Sequence, residues 1–113
     1  MITSLDMTET PLEILIAEDS PTQAQRLEHI LKQHGYVVTA ATNGRKALEA
    51  ARLRKPTLII SDVVMPEMDG YDLCRAVKTD ATLSDIPVIL VTTLSDPQDV
   101  IRGLECRADN FIL

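Results

Sequence analysis

Five short apolar runs alternate along this chain with stretches of helical periodicity, and that alternation constrains the fold more than any other feature. The runs are Glu13–Ala17, Tyr36–Ala40, Thr57–Ile60, Pro87–Val91 and Asn110–Leu113. Rich in Ile, Val and Leu, they read as strands of a parallel sheet buried on both faces. Pro87 suits the first position of its strand, where no ladder donor is needed. Parallel neighbours must be joined by right-handed crossovers, so the expected fold is an open α/β sandwich of three layers around one five-stranded sheet. In such sheets ligands bind beyond the carboxyl ends of the strands, so functional groups are sought just after each run.

Between the runs, Ala24, Leu27, Ile30 and Leu31 recur at helical spacing from Ser20 to His34, with Gly35 where a left-handed cap is wanted. Asn43 can cap a second helix reaching Lys55, with Ala47, Leu48, Ala50, Ala51 and Leu53 on its apolar side and Pro56 ending it. A third helix follows Gly70 and buries Leu73, Cys74 and Val77. A fourth is expected from about Pro97 to Glu105, capped by Asp96 and burying Val100, Ile101 and Leu104.

At 113 residues the chain is one domain, and 45% hydrophobic residues supply a core. Without an apolar run of about 18 residues there is no membrane span. Residues 1–11 carry acids rather than a basic-then-apolar leader, so they read as an N-terminal extension to a cytoplasmic domain spanning 12–113. Eleven basic against 17 acidic residues give a net charge of −6, which opposes direct binding to nucleic-acid phosphates. Cys74 and Cys106 have neither metal-site nor disulfide-framework spacing and read as small buried hydrophobes. The chain stops inside its fifth strand, which reads as a truncated piece lacking the last helix; the apolar surface so exposed predicts dimerisation.

Polar groups stand at three of the strand ends: Glu18-Asp19, Asp62 and Thr92-Thr93. Taken singly, Glu18-Asp19 could serve the start of the first helix, Asp62 a turn before Met65-Pro66, and Thr92 its own loop backbone. Their coincidence on one edge of one sheet is harder to attribute to independent caps. Three carboxylates in one crevice repel unless something positive intervenes. Hard oxygen ligands without His or Cys favour Mg²⁺, which leaves room for water and phosphate oxygens.

The segment Asp62-Val63-Val64-Met65-Pro66-Glu67-Met68-Asp69-Gly70 resembles the phosphoacceptor segment of response-regulator receiver domains in two-component signalling, of the chemotaxis-regulator kind. The resemblance covers residues 12–113, including Glu18-Asp19 after an apolar strand, Pro87-to-Thr92, and Ala108-Asp109-Asn110-Phe111 entering the fifth strand. It implies a flavodoxin-like sheet of strand order 2-1-3-4-5. It makes Asp62 the nucleophile that accepts a phosphoryl group from a sensor histidine kinase or a histidine phosphotransfer protein. Asp19 and Asp62 would ligate Mg²⁺ directly, the Val64 carbonyl would join them, and Glu18 would act through water. Thr92 would hydrogen-bond a phosphoryl oxygen, and Phe111 matches the aromatic whose rotamer follows that movement; its plainer reading is an apolar residue of the fifth strand. The module would assist its own phosphorylation without being an enzyme on a separate substrate, and would switch an output domain that the sequence does not identify.

Several positions depart from the family pattern. Glu18 stands where many members have aspartate, and Arg107 where glycine is usual. The family's lysine after the fifth strand would fall beyond Leu113. Val64 and Leu94, each two residues after a site residue, are apolar and cannot position a hydrolytic water, which implies a long-lived phosphoaspartate. A Mg²⁺-dependent phosphohydrolase of the haloacid dehalogenase type is the alternative, but it would want aspartate where Val64 stands. A degenerate receiver acting only through protein contacts fits poorly with an intact acidic set. Arg45, Lys46, Arg52, Arg54 and Lys55 read as a solvated helix face, and His29 and His34 as surface residues. No glycine-rich nucleotide motif is present.

Overall fold

The computed structural model describes residues 12–91 and 109–112. Within them the order is β1 (Glu13–Ala17), α1 (Pro21–Gln33), β2 (Val37–Ala41), α2 (Gly44–Leu53), β3 (Leu58–Asp62), α3 (Gly70–Thr79), β4 (Val88–Val91) and β5 (Asn110–Ile112). The strands form one parallel sheet in the order β2-β1-β3-β4-β5, as the resemblance implied. The fourth helix expected near Pro97–Glu105 lies outside the described residues.

Each helix begins on a side-chain cap. Ser20 Oγ accepts from Gln23 N at 3.4 Å with Pro21 leading α1, Asn43 Oδ1 accepts from Lys46 N at 2.8 Å, and Asp69 Oδ1 accepts from Asp72 N at 2.8 Å. After α1 the chain reverses at Gly35, whose φ of 88° is the left-handed value the sequence required. Several boundaries differ from expectation by a residue or two, the second strand for example running Val37–Ala41 rather than Tyr36–Ala40, and two of the differences have a clear cause. The second helix stops at Leu53, because Pro56 bars helical dihedrals at Lys55 and the extended backbone already begins at Arg54, with φ −147° and ψ 105°. The third strand runs on through Asp62, so that residue is held by the sheet rather than by a loop.

Strand periodicity sends alternate residues to opposite faces. Leu15, Ala17, Ile59, Val88 and Leu90 pack into one continuous core with Ala47, Leu48 and Ala51 of α2, Tyr71, Leu73, Cys74 and Val77 of α3, and Leu83 and Ile86. Cys74 is buried there as a small apolar side chain. On the opposite face α1 packs over β1 and β2, burying Ile14 and Ile16. Further along that face Leu58, Ile60 and Ile89 are only half-buried and Val91 is exposed.

A clamp at the far end of the sheet sets where β5 joins. Lys78 Nζ lies 2.8 Å from Asp109 Oδ2 and donates to the Ile86 carbonyl at 2.8 Å. The same Asp109 oxygen accepts from Val88 N at 2.6 Å, and Asp109 N donates back to the Val88 carbonyl at 3.0 Å. The basic residues on and just after α2 are solvated as expected, with Arg52, Arg54 and Lys55 paired to Asp80, Glu13 and Asp85. His29 and His34 are exposed. No helix among the described residues is long and apolar enough to cross a membrane.

Candidate functional site

Register explains why the acids meet. Ala17 of β1 is paired with Ser61 of β3, so the residues following each, Glu18-Asp19 and Asp62, leave neighbouring strands at the same level. One carboxylate oxygen from each of Glu18, Asp19 and Asp62 lies within 4.8 Å of the others, with Glu18 and Asp62 half-buried and Asp19 exposed. The cluster expected from the strand ends is therefore present.

Local hydrogen bonds orient it. Val63 N donates to Asp62 Oδ1 at 2.8 Å, and the buried Ser61 hydroxyl donates to the Asp62 carbonyl at 2.8 Å. Glu18 N donates to the Ala41 carbonyl at 3.0 Å, tying the turn after β1 to the end of β2. The Glu18 carboxylate accepts from Ser20 N at 3.0 Å. Glu18 thus serves the start of α1 and belongs to the acidic cluster at once; the two readings of it are not exclusive.

The electrostatics are those of crowded acids. Burial pushes the Asp62 carboxyl above the ordinary aspartate value, and Asp19 adds repulsion against the lowering effect of the Val63 N–H, a hydrogen bond with the Glu18 side chain and the Val64 N–H. Burial likewise raises Glu18, with the charges of Asp62 and Asp19 adding to it against the Ser20 N–H. A donor set made wholly of carboxylate oxygens, without imidazole or thiolate, matches a hard divalent cation.

Gly70 has a role that the sequence did not disclose. A glycine at the start of α3 is expected to ease the helix entry, yet its backbone needs no positive φ. Space decides instead: a Cβ there would lie 2.2 Å from the Asp62 carbonyl oxygen, and Gly70 N donates to the Val63 carbonyl at 2.8 Å. The β3–α3 loop is pressed directly against the acceptor's backbone. Met68 packs against the core, and Val64 is exposed beside Asp62.

The loop also touches the turn after β2, which sequence reasoning missed. Asn43 Nδ2 donates to Glu67 Oε2 at 3.3 Å, Arg45 Nε to Glu67 Oε1 at 2.9 Å, and Gly44 N to the Met68 carbonyl at 3.0 Å. In the sequence Arg45 reads only as part of a solvated face, and nothing in its spacing from Glu67 marks the contact. Thr92, Leu94, Cys106 and Arg107 lie outside the described residues. Phe111 is on β5, paired with Leu90, but its side chain is not among those described.

Comparison with known proteins agrees with this geometry. The family described as response regulator receiver domain matches residues 14–113. The solved signal receiver domain of a signal transduction histidine kinase from Syntrophus aciditrophicus is 61% identical, with a TM-score of 0.84 over 88% of this chain and 76% of that one. The Mn²⁺-bound form of the response regulator Rcp1 is 25% identical, with a TM-score of 0.82 over 90% of this chain and 80% of that one. The probable transcriptional regulator ycf27 of Guillardia theta is 37% identical across 93% of this chain, which spans only 40% of that protein's length. With the sheet order, the acidic strand ends and the family match in agreement, the chain belongs to the response regulator receiver domains.

Proposed function

We propose that this receiver accepts a phosphoryl group on Asp62 from a phosphohistidine of a sensor histidine kinase or a histidine phosphotransfer protein. The observation that carries the reading is the convergence of Glu18, Asp19 and Asp62 within 4.8 Å at the carboxyl edge of the sheet. Asp19 and Asp62 would hold a Mg²⁺ ion directly, the Val64 carbonyl would join them, and Glu18 would act through water. When bound, the ion supplies positive charge to the equatorial phosphoryl oxygens. The response regulator Rcp1, solved in a Mn²⁺-bound form, supports a divalent cation in a protein of this fold.

The chain's own part is positioning. With one Asp62 oxygen fixed by the Val63 N–H, the other is left to attack phosphorus in line; the O–P bond forms as the P–N bond to imidazole breaks and the ring nitrogen keeps the electron pair. Thr92 would then hydrogen-bond a phosphoryl oxygen, and Phe111 would follow that movement as the switch. Apolar Val64 and Leu94 leave a hydrolytic water unheld and favour a long-lived phosphoaspartate. Residues 12–113 form the receiver and 1–11 precede it, in the cytoplasm, where the phosphorylated surface switches an output domain or a second copy without touching nucleic acid itself. It is a signalling module with no separate substrate.

To test this, the chain is incubated with Mg²⁺ and acetyl phosphate, or with beryllofluoride as mimic. A single acid-stable, hydroxylamine-labile adduct that Asp62→Asn abolishes is expected. Many phosphoesters turned over per chain would instead favour a hydrolase, and neither adduct nor metal binding would leave a pure interaction module.

A further inference from the structure

Among the described residues Glu67 alone, apart from glycine, has a positive φ, at 68°. Met68 N donates to the Pro66 carbonyl at 2.8 Å, which makes Glu67 the centre of a three-residue γ-turn. The positive-φ form of that turn is rare and strained, and such strain persists only where the surroundings hold it. Here the holding contacts come from one neighbouring segment. The Glu67 carboxylate is bridged by Asn43 Nδ2 at 3.3 Å and Arg45 Nε at 2.9 Å. Both donors are themselves fixed. Asn43 is 4% exposed and caps α2 through Lys46 N, while Arg45 Nη1 is engaged by Glu49 at 2.9 Å. The two turns also meet at backbone level, since a Cβ on Gly44 would lie 2.3 Å from the Met68 carbonyl oxygen.

This strained apex belongs to the loop that carries the acceptor's hydrogen-bond donor. The loop opens with Val63, whose N–H holds Asp62 Oδ1, and closes at Gly70, whose N–H is tied to the Val63 carbonyl. Resting on the reading of Asp62 as phosphoacceptor, we infer that Glu67 is a positioning residue for phosphoryl uptake. Its carboxylate, bridging Asn43 and Arg45 across the turn between β2 and α2, pins the apex of the β3–α3 loop and so holds the Val63 N–H and the main chain at Val64 in place around Asp62. The function of that clasp is separable from its effect on folding. Glycine at this position relieves the backbone strain while removing the bridge, whereas alanine keeps the strain without it.

The experiment uses the whole chain with Mg²⁺ and acetyl phosphate, reading the phosphorylation rate constant, the dissociation constant for Mn²⁺ and the thermal midpoint. Glu67→Gly is expected to melt no lower than the wild type yet to be phosphorylated roughly two- to tenfold more slowly, a loss of positioning rather than of fold. Arg45→Ala slows uptake by a similar factor, Glu67→Gln falls between, and the Arg45→Ala/Glu67→Ala pair is no slower than its worse single variant, because both remove one contact. Folded Glu67→Gly and Arg45→Ala chains that match the wild-type rate and Mn²⁺ affinity would overturn the inference while leaving Asp62 as acceptor. A wild-type chain that takes up no phosphoryl group and binds no Mn²⁺ would remove the reading of the site, and this inference with it.

Discussion

Replacing Asp62 with asparagine should stabilise the metal-free protein, and the size of the gain follows from the acidic cluster. Two unit charges at the 4.8 Å limit of that cluster repel by about 0.9 kcal/mol at the dielectric constant of water and by about 3.5 kcal/mol at an effective value near 20. Asp62 faces two such partners. Glu18 and Asp62 are half-buried and Asp19 is exposed, so solvent screening places each pair near the lower figure. Removing one charge therefore relieves about 1–2 kcal/mol. Asparagine is isosteric, and its Oδ1 can still accept from Val63 N. For a domain of this size the gain is a rise of about 4–8 °C in melting temperature at low ionic strength and neutral pH. Excess Mg²⁺ should narrow or reverse the difference. A cation at 100 times its Kd contributes about 2.7 kcal/mol to the chain that binds it, and the variant has lost a ligand. Urea or thermal unfolding in chelator and in Mg²⁺ measures both arms. If Asp62→Asn is no more stable than the wild type in chelator, the carboxylates do not repel one another in the folded chain and the electrostatic basis of the site is wrong.

Two further outcomes follow from the same geometry. The carboxyls of Glu18 and Asp62 are raised above 4.5 and 3.8 respectively, first by burial, with Asp62 and Asp19 adding to the rise at Glu18 and Asp19 to that at Asp62. Their stabilising contribution is complete below those unfolded values and is lost as pH rises through the folded ones, so the metal-free chain weakens over that window and the midpoint shift caused by Mg²⁺ should grow from about pH 4 to pH 7; a shift that stays flat across this range contradicts the assignment. At the other end of the sheet, Lys78 has a side chain only 10% exposed against Asp109 and the Ile86 carbonyl. Lys78→Met should cost about 1–3 kcal/mol in urea unfolding, toward the low end because Asp109 keeps contact with water, and Lys78→Met/Asp109→Asn should recover part of it. A loss below about 0.5 kcal/mol would mean the clamp is inert.

Much of the architecture was legible because its signals are local. Each apolar run, the cap at Asn43 and the reversal at Gly35 state a preference that a few neighbouring residues decide, and parallel strand direction follows once crossovers are required, while the strand order was what the family resemblance implied. The errors lay at element ends. Extended backbone already begins at Arg54, two residues before Pro56, and β3 was long enough to carry Asp62, because pairing with Val91 of β4 extends the strand beyond its apolar run. The acidic residues were legible for a different reason: strand ends in a parallel sheet share one edge, so carboxylates far apart in sequence are brought to one rim.

What the amino-acid order determined by itself was therefore the sheet, its polarity and the placing of Glu18-Asp19 and Asp62 along one edge, whereas the adjacency of β1 and β3 that brings them within 4.8 Å belongs to the folded sheet. The tertiary structure alone decided which atoms press on Asp62. The need for glycine at Gly70 is an absence of room beside a carbonyl rather than a torsional preference, and it arises only when the loop is folded down on β3. The strained backbone at Glu67 is likewise held by Asn43 and Arg45, 24 and 22 residues away in sequence, and no local pattern encodes such a contact, because a hydrogen bond between side chains depends on distance in space and not on spacing along the chain.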